Sequence, residues 1–357
     1  GDTSYVYASL FGENFGTIEN INFELSINLD LKNIKKSILI SGLVASNQGK
    51  ISNVNVKIKA LDISLPASQT IYFGGISAKN SGTITNSIVN GDITLDQTVN
   101  LNALYLGGLV GENKGTIVSD NDNYATQKGV YLVNFNGKIT LNNISATNSY
   151  IGGVAGYNLD TISNMRVENV LIQANALNNV GGLDNVGGLV GLSTGKLENN
   201  YVNASIIGNK NIGGLAGQVQ GANVSKNIVE LYENDRLVGK TDATINVISG
   251  ADNVGGLIGY LCDTNSTSVS TISNNYIKNY LSKLYIYSDA VAGGLIGKVD
   301  GKTITNEVDD VTSTTSPTII QISFAYVNTK ANTSGGLIGI ANNCTITNVY
   351  SRGKVEG

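Results

Sequence analysis

The stretch "GGLVG" at Gly107 to Gly111 decides how this chain is read, because it keeps returning. "GGVAG" follows at Gly152, "GGLVG" at Gly187, "GGLAG" at Gly213, and "GGLIG" at Gly255, Gly293 and Gly335. A glycine loop that cradles phosphate occurs once per nucleotide-binding unit, at one helix N-terminus. Repetition on this scale speaks of architecture instead. Laying the copies in register brings out three drifted ones upstream: "ASLFG" at Ala8, "SGLVA" at Ser41 and "GGISA" at Gly74. The spacing runs from 26 residues (Gly187 to Gly213) to 45 (Gly107 to Gly152).

Each copy continues in the same manner. A few polar residues, often with a Gly, lead into a pattern such as "GTIEN", "GKISN", "DTISN" or "CTITN", and then into a second segment such as "NVNVKIKA". Ile, Val, Thr and Tyr alternate with polar residues, and Gly and Asn mark the breaks, which is strand chemistry. Short strands repeating at this period predict an all-β fold, a parallel β-solenoid (β-helix) of about ten coils with inserted loops. The whole chain, 1–357, reads as a single such domain. Stacked coils put Leu109, Val154, Leu189, Leu215, Leu257, Leu295 and Leu337 in one inward ladder, with glycines where backbone must turn or approach closely. A second ladder is expected from Ile18, Ile51, Ile84, Ile117, Ile162, Leu197, Ile272, Ile304 and Ile346. Two residues on, Asn recurs at 20, 53, 86, 164, 199, 274, 306 and 348. Asn tolerates left-handed backbone and bonds local groups, so this column is read as turn-forming.

These residues resemble a known family. "GGLVGENKGTI", "GGVAGYNLDTISN" and "GGLIGIANNCTITNVYSRGKVEG" are similar to GLUG repeats, glycine-rich motifs of secreted and surface proteins, mostly bacterial. The resemblance covers most of the chain and is strongest from Gly107 onward. It implies an extracellular, adhesin-like spacer or binding scaffold. In immunoglobulin A-cleaving metalloproteases such repeats accompany a separate catalytic domain.

Composition limits the chemistry. The chain has 357 residues, a net charge of −4 and only 14% charged residues, so no basic patch points to nucleic acid. No apolar run is long enough to insert into a membrane. Histidine is absent, which removes Ser-His-Asp and Cys-His catalysis and His-ligated zinc. The metalloprotease signature HExxH is absent with it. The paired carboxylates of a polysaccharide-active β-helix enzyme could come from Asp309 and Asp310, or from Glu230, Glu233 and Asp235, although adjacent loop acids are ordinarily solvated. Asp120 and Asp122 in "SDNDNY" sit two apart, like the start of a calcium loop, but lack its turn glycine and distal Glu. Calcium is the only cofactor considered, as a loop stiffener. Tyr276, Tyr280, Tyr285 and Tyr287 form the most aromatic stretch, and outward tyrosines there could stack on sugar or anchor a protein. Four stretches read as projecting insertions, roughly 119–147, 230–252, 264–290 and 309–332. Cys262 and Cys344 fall two coils apart, beyond disulfide reach, and are expected as free thiols.

The function expected is therefore non-catalytic: a structural or adhesive segment of an extracellular, surface-exposed protein, with a host protein or glycan as partner. The alternatives are a filament or sheath subunit whose copies meet end to end, and a polysaccharide-active enzyme. The first and last repeats carry no evident cap, so further sequence or end-to-end contact is expected.

Overall fold

The computed structural model describes residues 4–120, 132–174, 183–231, 245–279, 284–307 and 313–357. All regular structure among them is β-strand. Ten strands, one from each coil, form a parallel sheet running from Phe11–Asn14 to Ile338–Asn342 in sequence order, so the described chain makes ten coils. The other strands wrap around the remaining sides as a 33-stranded sheet, each paired mainly with its counterpart one coil away. The chain is a parallel β-solenoid. At strand spacing its ten coils extend about 43 Å along the axis.

The glycine motif is the corner between the strand that ends on its first glycine, such as Ile93–Gly107, and the strand of the ten-stranded sheet that follows, such as Val110–Asn113. A Cβ on Gly107 would lie 2.0 Å from the Val110 carbonyl oxygen and 2.6 Å from that of Val154 in the next coil. The third glycine of the motif lets the second strand press against the first. A Cβ on Gly156 would lie 2.6 Å from the Leu106 nitrogen, in the preceding coil. No side chain fits either place, which explains the repetition.

Between these glycines the ladder forms as expected. Leu109, Val154, Leu189, Leu215, Leu257 and Leu295 are fully buried, while Leu337, in the last coil, is partly buried. Backbone bonds run straight up the ladder: Leu109 N–H to Val154 O at 3.1 Å, Leu215 to Leu257 at 2.9 Å, Leu257 to Leu295 at 2.8 Å and Leu295 to Leu337 at 2.7 Å.

The second ladder is also present, with two changes. Val224 fills the step between Leu197 and Ile272. Ile304 is not a member. Its strand, Thr303–Glu307, pairs antiparallel with Ser313–Gln321 as a hairpin arm, and Ile320 takes the step between Ile272 and Ile346. "KTITN" and "PTIIQ" carry the same strand chemistry, so local pattern could not choose between them. The Asn column holds its left-handed geometry at Asn20, Asn53, Asn86, Asn164, Asn199, Asn274 and Asn348, with φ between 50° and 58°. Asn306 drops out with Ile304. Lys226 (φ 59°) and Ile322 (φ 46°) occupy the same turn in their coils.

Parts of the stretches read as insertions belong to the stack, while 121–131, 232–244, 280–283 and 309–312 within them lie outside the described residues. Lys138–Gly152 pairs along its length with Ile93–Gly107, and Thr271–Ser273, Tyr276–Lys278 and Leu284–Ser288 all pair parallel to neighbouring coils. Cys262 and Cys344 are free thiols, two coils apart and on different sides.

Candidate functional site

The tyrosines singled out in the sequence part company in the fold. Tyr276 points outward and is exposed. Tyr285 is 4% exposed, and its hydroxyl donates to Glu356 Oε1 at 3.3 Å, so it is a covered structural residue and not an exposed anchor. Tyr287 is half-buried and donates to Asp289 Oδ1 at 2.8 Å. Tyr280 lies outside the described residues.

What the stack adds is a set of aromatic partners from later coils. Tyr276, Phe324 and Tyr350 stand in register on three consecutive strands, with Ile277 and Ala325 buried beneath the first two. The Tyr276 and Phe324 rings stack at 5.2 Å, and Phe324 meets Tyr350 edge to face at 6.3 Å. Two residues further along the same strands come Lys278, Tyr326 and Arg352. The Arg352 guanidinium sits 5.6 Å from the centre of the Tyr326 ring. Tyr326 and Tyr350 are exposed at 50% and 56%. The sequence hid this strip because its members lie 26 to 48 residues apart and become neighbours only through coil register.

A second aromatic row lies in the recess formed at the glycine corner. Tyr72 and Tyr105 stack at 4.6 Å, and Tyr105 lies 5.1 Å from Tyr150. Lys79 Nζ sits 4.4 Å from the centre of the Tyr72 ring and 3.4 Å from Glu112 Oε2. Burial, helped by Tyr150 and Glu112, pushes the Tyr105 hydroxyl up to about 12. The row is uncharged at neutral pH, and its cation is already neutralised by Glu112. It works as packing along the corner.

Asp120 lies beside the Asn column. The Asn86 side-chain amide donates to its carboxylate, and its own N–H donates to Asn86 Oδ1 at 2.7 Å. With Asn22, Asn53, Asn55 and Asn86, and with Val54 and Ile88 between them, it lines an open cleft of about 450 Å³. Asp122 lies outside the described residues, among which no three acidic, Cys or His groups gather as a metal site. Of the candidate catalytic acids, Glu230 accepts the Tyr201 hydroxyl at 2.8 Å. Glu233, Asp235, Asp309 and Asp310 lie outside the described residues.

The polar chemistry that sequence reading missed is internal. A buried amide ladder climbs the coils at the end of the ten-stranded sheet: Asn14 to Asn47, Asn47 to Asn80 and Asn80 to Asn113, each at 2.7 Å, then Asn113 to Asn158 at 2.8 Å. It ends where Asn158 donates to Ser193 Oγ at 3.1 Å. Beyond Ser193 the same column continues as Val219, Leu261 and Val299. A second buried run joins Asn200 to Asn227 at 2.9 Å and Asn227 to Asn275 at 3.0 Å. The signal for the first ladder was legible as Asn-x-Gly at 14, 47, 80 and 113, a spacing hidden by the louder glycine motif. Compared with protein-family models, curated proteins and solved structures, the chain matches none.

Proposed function

We propose that this chain is a non-catalytic, surface-exposed scaffold of the GLUG-repeat kind, a rigid segment of an extracellular protein that presents side chains on its outer faces to a binding partner. The observation that carries this reading is the contrast between interior and exterior. Inside, a buried aliphatic ladder runs through the stack and a buried amide ladder joins the coils from Asn14 to Asn158. Outside, exposed aromatic side chains gather in the strip from Tyr276 to Arg352, with a separate exposed apolar group at Leu10, Phe11 and Phe15. The absence of histidine from the sequence and the engagement of Glu230 with Tyr201 weigh against hydrolytic chemistry. Antibody raised against the folded chain should label intact cells that produce the protein. Labelling that appears only after permeabilisation would overturn the surface assignment.

A further inference from the structure

We infer that the strip formed by Tyr276, Lys278, Phe324, Tyr326, Tyr350 and Arg352 docks a protein segment that is itself acidic and partly apolar. This rests on the surface-scaffold reading and names the partner chemistry. Three features of the strip select that occupant. The first is composition, since exposed Tyr, Phe and Arg in one patch are the residue types enriched at the energetic centres of protein interfaces.

The second is ring orientation. Tyr276 and Phe324 stack face to face at 5.2 Å, with 28° between their planes, and Arg352 covers the Tyr326 ring at 5.6 Å. One face each of Tyr276, Phe324 and Tyr326 is thus taken by a neighbouring ring or guanidinium. A sugar ring needs an open aromatic face. An extended peptide can use edges, hydroxyls and the apolar gaps between them.

The third is charge. Lys278 and Arg352 carry the strip's two formal charges, and among the described residues neither has a carboxylate within 4.0 Å. Glu230, in register with Lys278 one coil back, is turned to the Tyr201 hydroxyl at 2.8 Å. On the adjoining side Glu356 is already flanked by two cations, Lys330 and Lys354. Two cations with no carboxylate within 4.0 Å among the described residues, beside four aromatic rings, fit a segment that supplies carboxylates.

The test uses the full chain and four defined probes: a short peptide alternating acidic residues with Leu and Tyr, the same peptide with Lys at each acidic position, a neutral chito-oligosaccharide and a sulfated heparin oligosaccharide. The acidic peptide is expected to bind. The pair Lys278→Glu/Arg352→Glu should weaken it at least about tenfold, and Tyr326→Ala by a similar factor. The milder Arg352→Gln should weaken it less, and raising salt should weaken the wild type as well. All these positions are on the outer face, so unfolding curves of the variants should match the wild type. Equal binding of the Lys-containing peptide, insensitivity to both variants, or no binding of either peptide would overturn the inference. Binding of an oligosaccharide alone, abolished by Tyr326→Ala, would also overturn it while leaving the adhesive-scaffold reading intact.

Discussion

Leu257→Ala is the sharpest test of the ladder that organises this molecule. Leu257 is fully buried, and its backbone bonds Leu215 below and Leu295 above at 2.9 and 2.8 Å. The substitution removes three carbon atoms from the core, about 2.4 kcal/mol at ~0.8 per buried carbon. The surrounding backbone is tied on both sides by ladder bonds and glycine contacts, so the site cannot collapse freely. The remaining cavity adds about 1 kcal/mol, for a total of about 3–4 kcal/mol. Leu337→Ala is the internal control. It is the same change in the same column, but Leu337 is only partly buried, and the cost should fall to about 1–2 kcal/mol. Urea unfolding followed by circular dichroism reads both. Repeat arrays can lose strict two-state behaviour, so the slope of the transition must be compared along with its midpoint. A loss below about 1 kcal/mol for Leu257→Ala, or equal losses for the two variants, would refute the inward assignment.

Four further outcomes are expected. Asn113→Val should cost about 2–4 kcal/mol in urea unfolding, because it removes the donor to the Asn158 amide oxygen and to the Gly115 carbonyl and the acceptor of one Asn80 amide hydrogen. Ser193→Val should cost under about 1 kcal/mol, since Asn158 keeps its bond to the Asp160 carbonyl and the next step is already Val219. Ile322→Asn should stabilise by about 1 kcal/mol, because a β-branched residue at φ 46° is strained where the neighbouring coils use Asn274 and Asn348. Finally, the Lys196 ammonium bonded to Glu198, with Lys226 beside it, holds that carboxyl below the ordinary range despite some desolvation. A depressed folded-state pKa stabilises above the unfolded value of about 4.3 and stops doing so as pH falls through the folded value. Glu198→Gln should therefore lower stability at pH 7 by at most about 1 kcal/mol, with the gap to the wild type closing below pH ~4.

How much of this was legible beforehand depends on the range over which each feature is encoded. The glycine corner, the Leu ladder and the left-handed Asn turn are local, because each coil writes them within a few residues and every coil writes them again. Features that depend on which strand lies above which were not legible. The aromatic strip needs Tyr276, Phe324 and Tyr350 in one column, and only the stack supplies that register. Tyr285 shows the same limit in reverse. Alternation correctly turned it to the outer side, but Glu356 from two coils away bonds its hydroxyl there.

The clearest case is the pair "KTITN" and "PTIIQ". By its own pattern the first is the better match to the repeat, with Ile304 and Asn306 in the ladder positions. The fold uses the second, although this puts Ile322 at a left-handed turn. The difference lies in what the neighbours require. Ile320 pairs between Ile272 and Ile346 while Thr318 Oγ1 donates to the buried Asp263 carboxylate at 2.6 Å. Asp263 also accepts from the Gly221 N–H at 2.8 Å and from the Ser270 N–H and hydroxyl at 2.7 Å each. Three of these donors are present whichever copy is used, and Thr318 adds the fourth, a hydrogen bond to a carboxylate worth about 1.5–3 kcal/mol, comparable to the cost of one strained turn. Long-range contacts, the ladder step between Ile272 and Ile346 and the bond to buried Asp263, thus outweigh local agreement with the repeat, and Thr303–Glu307 pairs instead as a hairpin arm.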